Sequence, residues 1–123
     1  MIESAFPIIS TRDLGRLLEF YQDLLGGSVT YQFPSDGSPE FVSLSLGEST
    51  IGIAEDANVS TSSDQRFSLW IYVEDCDRIV ELVRDRGLEV IEEPADQRWG
   101  ERVARVADPD GNMVIVGQRQ EHR

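Results

Sequence analysis

The sequence repeats one pattern of elements at an interval of about 61 residues, and this repeat limits the folds open to the chain. Asp13 and Asp75 each precede a helical pattern and lie 62 residues apart, and Gly26 and Gly87, which follow those patterns, lie 61 residues apart. Asp is a favourable residue before a helix, and Gly is favourable after one. Because such a period points to duplication of one structural unit, the sequence predicts two modules with the same order of elements.

Each copy is expected to follow the order βαβββ. In the first copy, residues 5–11 predict a strand, which Pro7 restricts to a sheet edge or to a break in the ladder. The helical spacing of Leu14, Leu17, Leu18, Tyr21, Leu24 and Leu25 then predicts an amphipathic helix of about three turns. Three further strands are expected at 28–33, 40–46 and 50–54.

The second copy repeats this order after a polar stretch. A strand at 66–73 precedes a helix with Cys76, Ile79, Val80 and Val83 on its inner face, and strands follow near 88–92, 102–107 and 112–117. The fold class is therefore α+β, with two tandem βαβββ modules forming a curved mixed sheet around a cleft and the helices outside. The expected boundaries are a module at 5–55, a linker at 56–65, a module at 66–118 and a polar tail at 119–123, which holds the single histidine, His122.

The last two strands should form a hairpin. Asp108–Asn112 separates them, and its Asp-Gly pair supplies the positive φ that such a turn requires. Just before the hairpin, Trp99-Gly100 places an indole beside a residue without a side chain. The tryptophan either meets a flat ligand or closes the core, and the sequence leaves both interpretations open.

Charge and cysteine content exclude several classes of protein. Asp and Glu number 23 against 11 Lys and Arg, giving a net charge of −12, which repels nucleic acid and anionic membranes and attracts cations. The acidity also fits a role in solubility alone. The single cysteine, Cys76, excludes an internal disulfide and a Cys-rich metal site, and we expect it to be buried. Without an apolar run of about 18 residues or a leader pattern, we expect a cytoplasmic protein.

The duplicated βαβββ order, with Arg12–Leu14 and Glu19–Gly26 in the first copy and Trp99-Gly100 before Asp108–Asn112 in the second, resembles the vicinal-oxygen-chelate superfamily. That group contains glyoxalase I, extradiol dioxygenases, fosfomycin-resistance enzymes and bleomycin-resistance proteins, and the resemblance covers residues 5–118. Its metal-dependent members place a His, a His or Gln, and a Glu where this chain has Phe6, Ser68 and Ile115. The resemblance therefore implies no metal site of the family type, and no cofactor, because Phe and Ile offer no ligating atom.

The segments 7–13 and 98–111 look most like the bleomycin-resistance branch. Members of that branch have no catalytic metal and sequester the drug as dimers, in grooves lined by both chains; the first strand is exchanged near its proline. The resemblance implies a homodimer that binds a small molecule, with Trp99 stacked on it. An aromatic, cationic ligand fits the stacking surfaces and the acidic charge. The candidate ligand-binding residues are Trp99, Ser68, Trp70, Tyr72, Tyr31, Phe33, Phe41, Phe6 and Arg102.

Other hypotheses stay open at this point. Arg102 either pairs with an acidic group of the ligand or anchors the hairpin through Asp108 or Asp110. The chain could instead be a metal-dependent lyase, transferase or dioxygenase with ligands at unusual positions, such as Glu48, Glu55 or Glu101. A third hypothesis is a domain that only mediates assembly. A divalent ion bound in stoichiometric amount would favour the enzyme.

Overall fold

The computed structural model describes residues 6–59 and 68–120. The chain divides into two compact units, Met1–Thr61 and Ser62–Arg123, and each contains one mixed four-stranded sheet and one helical region in the order βαβββ. This confirms the α+β class and the two tandem modules. His122, the linker residues 60–65 and the first two residues of the strand expected at 66–73 lie outside the described residues.

The first unit follows its expected order closely. Its sheet has the order β1-β4-β3-β2, in which β1 pairs parallel with β4 and the other pairs are antiparallel. The strands are β1 (Ile8–Thr11), β2 (Ser28–Phe33), β3 (Phe41–Leu46) and β4 (Ser49–Glu55). Pro7 lies just outside β1, which is an edge strand, as its missing N–H predicts.

The helix of the first unit departs from the expected regular α-helix. Helix α1 (Leu14–Leu18) continues directly as a π-helical segment, Glu19–Leu24. The wider winding is visible where Leu25 N–H donates to the carbonyl of Phe20, five residues back. It turns both Phe20 and Tyr21 into the core, with their rings edge to face and 4.8 Å apart. The helical spacing of the apolar residues predicts Tyr21 on the buried face but not Phe20.

The second unit repeats the topology of the first. It contains β5 (Leu69–Tyr72), α2 (Cys76–Asp85), β6 (Val90–Asp96), β7 (Glu101–Ala107) and β8 (Met113–Arg119). Its sheet order, β5-β8-β7-β6, corresponds strand for strand to that of the first unit, which confirms the predicted duplication. The N-caps agree as well, because Asp13 and Asp75 each accept a hydrogen bond from the backbone N–H three residues later.

The strands of the second unit differ in detail from their predicted bounds. Strand β6 lies later than expected, and its register with β7 shifts between Glu92 and Ala95, around Pro94, which cannot donate to the ladder. Strand β8 continues through Arg119, two residues beyond its predicted end at 117. Its last residues are held in the sheet because Gln118 and Arg119 pair with β7.

Each sheet has two distinct faces, because side chains alternate along a strand. In the second unit α2 covers one face, where Val106, Val114 and Val116 are buried and the Cys76 thiol donates to the carbonyl of Val116. Cys76 is fully buried, as predicted, and burial raises the pKa of its thiol. The opposite face of each sheet presents aromatic side chains and is called the aromatic face below. No helix in the described ranges is long and apolar enough to cross a membrane.

Candidate functional site

The aromatic face of the second unit begins with two rings on β5. Trp70 and Tyr72 alternate along this strand and therefore share a face, and their ring centroids are 5.8 Å apart. The indole of Trp70 crosses the neighbouring strand at Gly117, where an added Cβ would lie 2.8 Å from the indole nitrogen. Gly117 thus makes room for Trp70, and both rings stay partly exposed, 38% for Trp70 and 45% for Tyr72.

Glu101 connects these rings to Trp99. One carboxylate oxygen accepts a hydrogen bond from the indole nitrogen of Trp99, and the other accepts one from the hydroxyl of Tyr72, both at 2.8 Å. The bonds from Trp99 and Tyr72 hold the pKa of Glu101 below its ordinary value, and the bond to Glu101 raises the pKa of Tyr72. At neutral pH the site therefore contains a carboxylate anion and a neutral phenol.

Trp99 is oriented without being buried. Its side chain is 62% exposed, so the hypothesis that it closes the core is wrong. Gly100 has a φ of +99°, which favours glycine and allows the sharp change of direction between Trp99 and β7. An exposed indole held by a charged hydrogen bond provides a preformed flat surface to solvent.

Arg119 completes this group of side chains. It lies opposite Glu101 in the ladder between β7 and β8, and its guanidinium carbon is 3.7 Å from the centre of the Tyr72 ring. That distance is well within the range of a cation–π contact. We call Trp70, Tyr72, Trp99, Glu101 and Arg119 the Glu101 cluster.

Sequence reasoning missed the two charged members of this cluster as parts of a binding surface. Glu101 was considered only as a metal ligand, and Arg119 only as part of a polar tail. The spacing of Trp99 and Glu101, two residues apart at the start of a strand, was the one local signal available. The contacts of Tyr72 with Glu101 and Arg119 join residues 29 and 47 positions apart, so they depend on the strand order.

Arg102 forms ion pairs within the second unit, but with other partners than Asp108 and Asp110. It points to the helix-covered face, where its guanidinium pairs with Asp77 of α2 at 3.1 Å and with Asp96 of β6 at 3.0 Å. The expected anchors were Asp108 and Asp110. The carboxylate of Asp108 instead organises the hairpin turn by accepting hydrogen bonds from the turn's own backbone.

The remaining candidates lie in the first unit or just before β5. Tyr31 and Phe41 share the aromatic face of the first sheet, with ring centroids 6.2 Å apart, and Phe33 pairs with Phe41 across the β2–β3 ladder. The ring of Phe41 lies over Gly52 of β4. Phe6, Tyr31, Phe33 and Ser68 are all exposed. The structure thus groups the candidates into two sets, one in each unit.

The three positions that would hold a family-type metal do not fit one. Phe6 and Ser68 are exposed, and Ile115 pairs with Trp70 in the sheet. Within residues 6–59 and 68–120, no three His, Cys, Asp or Glu side chains come together in a group that could hold a metal ion. Of the unusual candidates, Glu55 accepts a hydrogen bond from the backbone of Leu14, and Glu101 is engaged by Trp99 and Tyr72.

Comparison with known proteins identifies the protein superfamily to which the chain belongs. Residues 5–116 match the Glyoxalase/Bleomycin resistance protein/Dioxygenase superfamily, so the chain belongs to that superfamily. The expected membership is thereby confirmed, while the branch is a separate question.

Individual relatives cover nearly the whole chain. The uncharacterized protein YraH of Bacillus subtilis (strain 168) is 25% identical over 116 residues, which span 85% of this chain and 88% of that protein. A superfamily enzyme from Burkholderia phytofirmans PsJN is 26% identical, with a TM-score of 0.76 over 92% of this chain and 95% of its own. A bleomycin resistance determinant encoded on the transposon Tn5 is 19% identical, with a TM-score of 0.70 over 98% and 100%, a likeness of fold.

Proposed function

We propose that this protein binds a small aromatic cation on the Glu101 cluster, without a catalytic metal, and sequesters it. The observation behind the proposal is that one carboxylate, Glu101, holds two exposed aromatic side chains, Trp99 and Tyr72, through 2.8 Å hydrogen bonds. An antibiotic of this chemistry is one such ligand, as the similarity in fold to a bleomycin resistance determinant suggests.

Preorganisation is the physical reason to read the cluster as a binding surface. An exposed tryptophan normally loses side-chain freedom when a ligand stacks on it, and that loss weakens binding. Trp99 is 62% exposed yet already held by Glu101, so less freedom remains to be lost. Each good aromatic contact contributes about 0.5–1.5 kcal/mol beyond the burial of its area.

The preference for a cation follows from charge. Glu101 adds an anion beside the rings, and the whole chain has a net charge of −12, which raises the local concentration of cations. The faces of Tyr and Trp also attract positive charge. An anionic aromatic compound would meet repulsion from the same groups.

Further parts of the proposal concern the assembly and the first unit. We propose a homodimer whose groove includes the cluster. The first-unit candidates Tyr31, Phe33, Phe41 and Phe6 form a second, weaker binding surface within their own unit, and Ser68 adds a contact in the second unit. The stronger role of the second unit is supported by the hydrogen bonds that hold Trp99 and Tyr72. In the first unit, Tyr31 and Phe41 contact each other, with ring centroids 6.2 Å apart.

A titration tests this function directly. Metal-free bleomycin and other cationic aromatic compounds are titrated into the protein, with tryptophan fluorescence and calorimetry as readouts. We expect saturable binding near one ligand per chain, weakened about tenfold or more in Trp99→Ala, because the main stacking surface is lost. Trp70→Ala should have a smaller effect, since Trp70 is less exposed than Trp99. Thermal unfolding should change little in Trp99→Ala, because the indole is mostly exposed.

The control is Arg98→Ala, which removes the exposed neighbour of Trp99 and should bind as the wild type does. Equal affinity in Trp99→Ala and the wild type would contradict the proposed site. Stoichiometric divalent metal in the purified protein, together with turnover of a substrate, would favour a metal-dependent enzyme of the same superfamily.

A further inference from the structure

Arg119 occupies a position in the Glu101 cluster that would also be favourable for a positively charged group of a ligand. Its guanidinium is 3.7 Å from the centre of the Tyr72 ring, although Glu101 is its direct partner in the ladder between β7 and β8. The Glu101 oxygens are instead engaged by Trp99 and Tyr72. The arginine thus rests on an aromatic face beside a carboxylate.

We propose that the Tyr72 face and the Glu101 carboxylate form a subsite for a planar delocalised cation, a guanidinium or amidinium, and that Arg119 fills this subsite until the ligand displaces it. The inference rests on the proposed function and specifies the chemical class of the ligand's charged group. It also makes Arg119 a residue that sets specificity by competition.

The shape of the occupant is the reason to favour a planar cation over an ammonium. A guanidinium stacks flat on an aromatic ring, whereas an ammonium is a compact and strongly hydrated point charge. Trp70 is tilted against the Tyr72 ring at 57° with a centroid distance of 5.8 Å, so a group that stacks on Tyr72 lies beside an indole. The chain's own occupant is planar, and a ligand group of the same shape and charge can replace it without rearranging Trp70.

Displacement is feasible because Arg119 is exposed and lies at the end of β8. A solvent-exposed cation–π contact is among the weaker ones, so a ligand that also stacks on Trp99 can replace it. If Arg119 instead bound an anionic ligand, its position over the Tyr72 ring would contribute nothing to binding. The two roles predict opposite effects of removing the arginine.

The experiment compares 2-naphthamidine with its uncharged counterpart 2-naphthamide. Binding is followed through the two indole N–H signals in ¹H–¹⁵N spectra, since the chain has only two tryptophans. The signals are assigned with Trp70→Phe. The variants are Arg119→Gln and, as a control for the loss of one positive charge, Arg78→Gln on the exposed side of α2.

We expect the amidine to bind more tightly than the amide, and to bind about two- to fivefold more tightly to Arg119→Gln than to the wild type, as the loss of one exposed cation–π competitor predicts. Arg78→Gln should bind it as the wild type does, and the amide should not distinguish the variants. Weaker amidine binding in Arg119→Gln would overturn the subsite and leave the proposed function standing. Equal binding of amidine and amide in the wild type would overturn the subsite and also the preference for a cation. Unchanged indole signals with both probes would overturn both.

Discussion

The two units share one topology but build their aromatic faces in different ways. In each unit the strand paired with the first strand of the copy contains a glycine under a ring, Gly52 in β4 and Gly117 in β8. In the first unit the ring over the glycine is Phe41 of β3, the antiparallel neighbour of β4. In the second unit it is Trp70 of β5, the parallel neighbour of β8. Duplication therefore preserved the strand order without preserving which neighbour supplies the aromatic side chain.

The chemistry of the two faces differs further. Besides Tyr31, Phe33 and Phe41, the strand positions that share the first face include Ile8, Ser10, Ser43 and Gly52, none of them charged. The second face adds Glu101 and Arg119 to its rings. The candidate site therefore depends on a few residues that differ between two units of the same topology. Three experiments test how far the two units differ.

The largest expected effect concerns the helices. Phe20 is 2% exposed because the π-helical segment turns it inward, whereas Leu82, its counterpart 62 residues later on the α-helix, is half-buried. We expect Phe20→Ala to reduce the free energy of unfolding by about 3–5 kcal/mol, the usual cost of truncating a buried phenylalanine. Leu82→Ala should cost about 1–2 kcal/mol, because less apolar area is lost.

Urea unfolding followed by circular dichroism measures both values. Equal losses in the two variants would show that Phe20 is not more deeply buried than Leu82 in solution, and would remove the contrast between the helical regions.

The second effect concerns the hairpin turns. The β7–β8 turn depends on Asp108, a buried residue whose carboxylate accepts hydrogen bonds from the backbone of Asp110 and Asn112 and from the Asn112 side chain. Asp108→Ala should cost about 2–3 kcal/mol, because charged hydrogen bonds are lost and part-buried donors lose their partner. The β3–β4 turn has Gly47 at a φ of +62°, and its exposed Glu48 gives the matched variant.

Glu48→Ala should change stability by less than about 0.5 kcal/mol, as is usual for exposed positions. Thermal unfolding of the two variants side by side would test the difference. A stable Asp108→Ala would mean that Gly111, with its φ of +86°, is sufficient to form the turn.

The smallest expected effect is a pH dependence confined to the second face. Glu101 has a pKa lowered by the hydrogen bonds from Trp99 and Tyr72, with a further lowering from Arg119. A carboxylate with a lowered pKa stabilises the folded state above its unfolded pKa, and this contribution disappears as the pH falls through the folded pKa. The wild type should therefore lose a small amount of stability relative to Glu101→Gln between neutral pH and about pH 3.

The measurement is the difference in Tm between the wild type and Glu101→Gln, followed from neutral pH to about pH 3. Phe33→Ala on the first face serves as the control and should follow the wild type, since it removes no titratable group. A Tm difference independent of pH would show that the carboxylate of Glu101 is not held by its two donors in solution.

Much of the fold could be predicted because its determinants are local. Asp13 and Asp75 cap their helices, Gly111 allows the hairpin turn, and alternation placed Trp70 and Tyr72 on one face. The period between the copies then predicted the order of elements. Where local rules competed with packing, as in the π-helical segment and around Pro94 in β6, the predicted pattern was less accurate.

By itself, the sequence determined the duplication and the βαβββ order, because both depend on residue type and spacing along the chain. Only the tertiary structure decided that Glu101 joins Trp99 to Tyr72 and that Arg119 lies over Tyr72. Those contacts exist because β8 lies between β5 and β7, with Arg119 directly opposite Glu101 in the ladder. Strand order of this kind is set by the packing of the whole sheet, which no local spacing records.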